Sequence, residues 1–88
     1  MATGFAQDIR PYFTACYRAH MIKFRQFDLW LKTDVQPRWQ DIFDNVEAAN
    51  MPPAAGTAGA CPEGGWDEIT RAQFLKDFKS WKDGQFQP

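Results

Sequence analysis

The chain has 88 residues, of which 44% are hydrophobic, 16% aromatic and 24% charged. This length and composition predict one globular domain over residues 1–88, and they exclude an intrinsically disordered, collagen-like or coiled-coil protein. No run approaches the roughly 20 apolar residues of a transmembrane helix, so we expect no membrane span. The formal net charge of −1 argues against a nucleic-acid-binding module.

The charges are unevenly distributed along the chain. Residues 1–40 carry six cations and three anions, whereas residues 41–88 carry four cations and eight anions. Such a split can give a folded domain a basic face and an acidic face, and it can orient the domain on a charged partner. The alternative is that these charges only solvate the helix surfaces.

Two features of the sequence bear on the cellular compartment. The chain has two cysteines, Cys16 and Cys61, whereas a secreted domain of this size usually has four or more. The first residues also lack the cationic and apolar regions of a signal peptide. We therefore expect a cytoplasmic protein, with a periplasmic location as the alternative if the sequence is a mature form without its leader.

Hydrophobic periodicity predicts an all-α fold with three main helices and no strand. The first helix spans 5–17. The second spans 34–48 and begins with a capping box at Thr33, and the third spans 70–83 and begins with a capping box at Thr70. In both boxes the hydroxyl is expected to accept a hydrogen bond from the first helical turn.

The remaining segments are predicted to be loops. Pro11 must either lie in the first turn of its helix or bend that helix, because an interior proline removes a hydrogen bond. Residues 18–33 contain many apolar side chains without a clean period, which indicates a loop that packs into the core. Residues 51–66 are rich in proline, glycine and alanine and predict an exposed loop.

The stretch C-Y-R-A-H at 16–20 contains a partial haem-attachment motif. In the c-type signature C-x-x-C-H, two cysteines bond the haem and the histidine ligates the iron. Cys16 and His20 have the required spacing, but Ala19 stands where the second cysteine would be. Met51 follows a predicted helix, where the sixth ligand of a His/Met cytochrome usually lies.

The order of these motifs resembles that of a small class I cytochrome c domain over nearly the whole chain. The motifs are I-R-P at 9–11, C-x-x-A-H at 16–20, M-P-P at 51–53 and W-K-D-G at 81–84. The chain is still more similar to a group of small bacterial proteins that keep this frame without the haem motif. Arg18, Met21 and F-D-L-W at 27–30 match that group. The resemblance implies a cytochrome c-like helical frame without haem.

Three alternatives remain open for Cys16: a small buried side chain, a disulfide with Cys61, or a single thioether bond to haem. We expect the first. His20 is either a helix-end imidazole or, if haem is bound, an axial ligand to the metal. Met51 is likewise either a core side chain or the opposite axial ligand.

The aromatic side chains are expected to form the core and to fill the space that a haem would need. They are Phe24, Phe27, Trp30, Trp39, Phe43, Trp66, Phe74, Phe78 and Trp81. A filled core of this kind would need no cofactor.

No signature of a known enzyme class occurs in the chain. Together the resemblance and the filled core predict a haem-less, cytochrome c-like accessory domain that binds a protein partner, a larger enzyme or complex. The alternative is an electron carrier in which Cys16, His20 and Met51 hold haem c. A further alternative is a small enzyme that uses Cys16 or His20.

Overall fold

The computed structural model describes residues 3–52, 61–62 and 64–88. Its α-helices are α1 (Ala15–Arg25), α2 (Lys32–Val35), α3 (Trp39–Glu47) and α4 (Glu68–Asp83). Within these residues there is no strand, and Gly4 and Gln87 form only an isolated bridge. The prediction of an all-α fold is therefore confirmed. The predicted exposed loop falls largely on residues 53–60 and 63, which lie outside the described part.

The predicted helix over 5–17 is wrong. The chain forms a π-helical turn at Phe5–Ile9 and a 3-10 turn at Arg10–Tyr12, with Pro11 in the first turn of the latter. It then leaves helical geometry at Phe13, where φ is −97° and ψ is 108°. A proline in a 3-10 turn followed by an extended residue interrupts the helical path.

The segment 18–33, predicted to be irregular, is helical as far as Arg25. α1 begins after Thr14, whose hydroxyl accepts a hydrogen bond from the backbone N–H of Tyr17 at 3.2 Å. Within α1 only Tyr17 and Met21 are buried, one helical turn apart. A helix that buries one side chain per turn has almost no hydrophobic stripe, which is why periodicity does not reveal it.

The second and third predicted helices exist with shifted starts. The second begins at Lys32 as α2, passes through a 3-10 turn at Gln36–Arg38, and continues as α3. Thr33 does not cap it. The third begins at Glu68, because the Asp67 carboxylate accepts the cap hydrogen bond from the backbone N–H of Thr70 at 2.7 Å.

Aromatic rings from α4 form the centre of the core. Phe74, Phe78 and Trp81 are fully buried, and their ring centroids follow one another at 4.8 and 5.6 Å. Trp39 of α3 stacks on Phe78 at 5.2 Å and donates its indole N–H to the Phe78 carbonyl at 3.0 Å. Phe24, expected in the core, is instead 56% exposed.

Cys16 and Cys61 form a disulfide, with their Cα atoms 5.9 Å apart. The expectation that Cys16 is a free buried thiol is therefore wrong. The segment after the disulfide packs on α1, where the Tyr17 hydroxyl donates a buried hydrogen bond to the Gly64 carbonyl at 2.6 Å. This packing brings the cysteines together although 45 residues separate them.

Removing the disulfide should cost much of the stability of so small a domain. Cross-linking positions 45 residues apart removes chain entropy from the unfolded state worth about 4 kcal/mol. We expect the double variant Cys16→Ala/Cys61→Ala to lose about that much free energy of unfolding, measured by urea titration. The reduced wild type is the control and should match the variant. A loss below about 1 kcal/mol would contradict the stabilising role.

Candidate functional site

His20 and Met51, the two residues that the partial haem motif suggests as ligands, line the same crevice. His20 lies on α1, whereas Met51 follows the end of α3. The chain reverses there through Ala49, with φ at 62°, and the backbone N–H groups of Asn50 and Met51 both donate to the Asn45 carbonyl, at 2.9 and 3.3 Å. The reversal points the chain after α3 back toward α1.

The crevice is small and apolar. Its volume is about 20 Å³, and its walls include Met21, Ile42 and the rings of Phe13, Tyr17 and Trp66. This is room for about one water molecule, whereas pockets for organic ligands usually measure about 300–1,000 Å³. In this conformation the residues therefore do not fit a haem between His20 and Met51.

Cys16 does not join the other two predicted site residues. It does not line the crevice, and its sulfur is bonded to Cys61. A thioether to haem would need that sulfur as a free thiolate. The structure thus brings together two of the three residues predicted to hold haem and gives the third a different bond.

A second feature surrounds Trp30. The guanidinium carbons of Arg10 and Arg18 lie over its ring, 4.8 and 4.5 Å from the centroid. The indole N–H donates to the Phe13 carbonyl at 2.8 Å. This hydrogen bond holds the ring against the extended residue between the 3-10 turn and α1. Arg18 also donates two hydrogen bonds to Asp28, from Nε at 3.0 Å and from Nη2 at 2.9 Å.

Asp28 organises this region. Its carboxylate also accepts the backbone N–H of Trp30 at 2.9 Å, and its own N–H donates to Asp34 at 2.9 Å. The hydrogen bonds from Arg18 hold the pKa of the Asp28 carboxyl below its usual value and raise the pKa of Arg18. Arg18 is thus paired, whereas the side chain of Arg10 forms no hydrogen bond or salt bridge within the described ranges and is attracted to Asp28 only at longer range.

An open groove of about 290 Å³ lies beside Trp30. Its walls are formed by Ala6, Arg10, Pro11, Phe13 and Trp30, which we call the Trp30 groove. It combines one cation with apolar and aromatic surface. This combination suits a carboxylate that is flanked by an apolar or aromatic group.

Sequence reasoning did not find this groove. Its only sequence signals are Arg10 and Pro11 in the I-R-P motif and Trp30 in F-D-L-W. Both motifs indicated a family resemblance and did not indicate a binding site. The stacking of two arginines on one tryptophan depends on the break at Phe13 and the start of α1 after Thr14, neither of which the periodicity revealed.

Further observations limit other kinds of site. Across residues 3–52, 61–62 and 64–88, no three side chains of histidine, cysteine, aspartate or glutamate are grouped to hold a metal ion. In the same ranges, no helix has both the length and the apolar character needed to cross a membrane. No family model, curated protein or solved structure matches the chain.

Asp28→Asn should destabilise the protein and reduce its sensitivity to acid. The amide cannot replace both charge-assisted hydrogen bonds from Arg18, so we expect a loss of about 1–2 kcal/mol at neutral pH. Because the pKa of Asp28 is lowered on folding, its contribution is present above its unfolded pKa, about 3.9, and is lost as the pH falls through the lower folded value.

Urea titrations between pH 7 and pH 2 measure this effect. The wild type should lose more stability over the acid range than Asp28→Asn. Asp83→Asn, at an exposed position, is the matched control and should follow the wild type. Parallel curves for wild type and Asp28→Asn would contradict the assignment.

Proposed function

We propose that this chain is a haem-less, cytochrome c-like accessory domain that binds an acidic segment of a protein partner through the Trp30 groove. The observation that carries this proposal is the Arg10 guanidinium, which lies over Trp30 at the groove without a hydrogen-bond or ion-pair partner in the described part of the chain. We take the partner to be a larger enzyme or complex.

The chemistry of the groove supports an acidic partner. An arginine guanidinium binds a carboxylate through two parallel hydrogen bonds, and its contact with the Trp30 ring restricts its orientation before binding. Arginine and tryptophan are also the residue types that most often dominate binding energy at interfaces. Pro11 and Phe13 add apolar surface for a neighbouring side chain of the partner.

The charge distribution supports the same choice. The groove lies in the first 40 residues, which carry six cations and three anions. Arg18 is neutralised by Asp28, so Arg10 is the cation at the groove that remains for an external anion. A positive surface of this kind speeds encounter with an acidic partner and makes the binding dependent on salt.

The disulfide supports an oxidising compartment for the proposed domain. Disulfides persist in the bacterial periplasm and outside cells, whereas cytosolic reductants keep most thiols reduced. We therefore favour the periplasmic alternative over the cytoplasmic location that the cysteine count had suggested. The partner would then be a protein of that compartment.

Selection from a library of displayed random peptides tests the docking proposal. We expect peptides enriched in Asp or Glu beside an aromatic or aliphatic residue on the oxidised wild-type domain. Their binding should shift the indole N–H signal of Trp30 in NMR spectra and should weaken as salt rises. Arg10→Glu should weaken it by about tenfold or more, because it replaces attraction with repulsion.

Lys79→Glu provides the matched control. It makes the same charge reversal on the exposed surface of α4, at a residue that does not line the groove, and should leave peptide affinity within about twofold, because salt screens charges that do not touch the ligand. Selected peptides without acidic residues, or equal effects of the two reversals, would contradict the proposal.

The haem-less part of the proposal has its own test. The chain is expressed once in the cytoplasm and once exported together with a cytochrome maturation system, and the absorption spectrum and intact mass are measured. We expect no Soret band, and for the exported form a mass lower than that of the reduced sequence by two hydrogens. A Soret band with one added haem would favour the electron-carrier alternative.

A further inference from the structure

We propose that the exposed last turn of α1 docks on the surface of an anionic phospholipid membrane. The five residues from Ile22 to Gln26 are all exposed, whereas Met21 before them and Phe27 after them are buried. The turn therefore stands out from the body of the domain, and we call residues 22–26 the α1 tip. None of them lines the crevice or the Trp30 groove, so this inference does not rest on the proposed docking function.

Two large apolar side chains lie on the α1 tip. Ile22 is 45% exposed and Phe24 is 56% exposed. Residues two apart in a helix point to nearly opposite sides, so the projecting turn has apolar surface on both sides. Insertion of the turn into the boundary between headgroups and acyl chains would cover both side chains at once. A protein surface packed against one side would leave the other side in water.

The charges of the α1 tip favour an anionic surface. Lys23 and Arg25 are its only charged residues, and the sequence has no Asp or Glu from 19 to 27. Within the described residues neither cation forms a salt bridge. Lysine and arginine strengthen binding to a bilayer that carries anionic headgroups. Their aliphatic stems can lie along the apolar layer while their charged ends reach the headgroups.

Contacts within α1 restrict the Phe24 ring before it meets a membrane. The His20 imidazole packs on this ring with the centroids 4.7 Å apart, and the Lys23 ammonium lies 5.3 Å from its centroid. A restricted side chain loses less conformational freedom on binding. Gln26 follows in the left-handed conformation, with φ at 61°, and ends the helix. The tip is therefore short, and its insertion is shallow.

A second exposed apolar side chain shows what distinguishes the α1 tip. Single exposed apolar side chains are common on folded proteins and need no explanation. Ile69 of α4 is such a case, because it is 81% exposed but directly follows Asp67 and Glu68, whose charges an anionic surface repels. The α1 tip instead combines two apolar side chains with two cations and no anion. Ile69 therefore provides a matched control.

Co-sedimentation with lipid vesicles tests the proposal. The oxidised wild-type protein is mixed with vesicles of phosphatidylcholine alone, or of phosphatidylcholine and phosphatidylglycerol in equal parts. We expect binding to the mixed vesicles to be about tenfold tighter or more and to weaken as salt rises, because two cations face the headgroups. In nanodiscs of the mixed lipids, a spin-labelled acyl chain should broaden the backbone NMR signals of residues 22–26 and leave those of 74–81 sharp.

Substitutions in the α1 tip separate the apolar contribution from the electrostatic one. Ile22→Ser/Phe24→Ser should lower the affinity for the mixed vesicles by about tenfold or more, because less apolar surface leaves water. Ile69→Ser should bind within about twofold of the wild type, because it lies outside the inserted turn. Lys23→Gln/Arg25→Gln should remove most of the preference for the anionic lipid. All these positions are exposed, and circular dichroism checks that each variant is folded.

Three results would overturn the inference. They are failure of the wild type to bind the mixed vesicles, equal binding to both kinds of vesicle, and an equal loss of affinity in Ile22→Ser/Phe24→Ser and Ile69→Ser. None of these results bears on the docking proposal, because the α1 tip lies outside the Trp30 groove. Peptide binding at the groove and vesicle binding at the tip are thus tested separately.

Discussion

The buried rings of α4 are the constraint on which the rest of the structure depends. Phe74, Phe78 and Trp81 have no exposed surface, and each holds a different part of the chain. Phe74 packs against Phe13 at 5.7 Å and Trp66 at 4.7 Å. Phe78 and Trp81 similarly hold α3 and the two ends of the described chain. A single helix thus provides the surface on which the first turn, α3 and both ends of the described chain assemble, which compensates for the small core of an 88-residue chain.

Phe13 connects this core to both candidate sites. Its ring packs on Phe74, lines the crevice and also forms a wall of the Trp30 groove, while its carbonyl holds the Trp30 indole. The residue lies at the break between the 3-10 turn and α1, where its backbone is extended. The interruption of the helix is therefore what gives one side chain contact with the core, the crevice and the groove. A continuous helix over 5–17 would not place them around a common residue.

How far the sequence predicts this fold depends on how much of each helix is buried. The helices predicted over 34–48 and 70–83 exist because hydrophobic side chains recur along them each turn, and only their starts are shifted. The start of α4 is fixed by Asp67, a cap as good as the threonine expected three residues later. α1 was missed because it buries only Tyr17 and Met21, so its helical form rests on the Thr14 cap and on contacts that are distant in sequence.

The candidate site was predictable to the extent that it depends on a local motif. The spacing within C-x-x-A-H and the position of Met51 identified a histidine and a methionine that the structure does bring to one crevice. The sequence left the disulfide with Cys61 as one of three alternatives for Cys16 and could not decide between them, because a bond across 45 residues depends on how the chain folds back on α1. The disulfide also helps to form the crevice. It removes the thiols from any metal or haem chemistry, and with the Tyr17–Gly64 hydrogen bond it holds the segment that carries Trp66 beside α1.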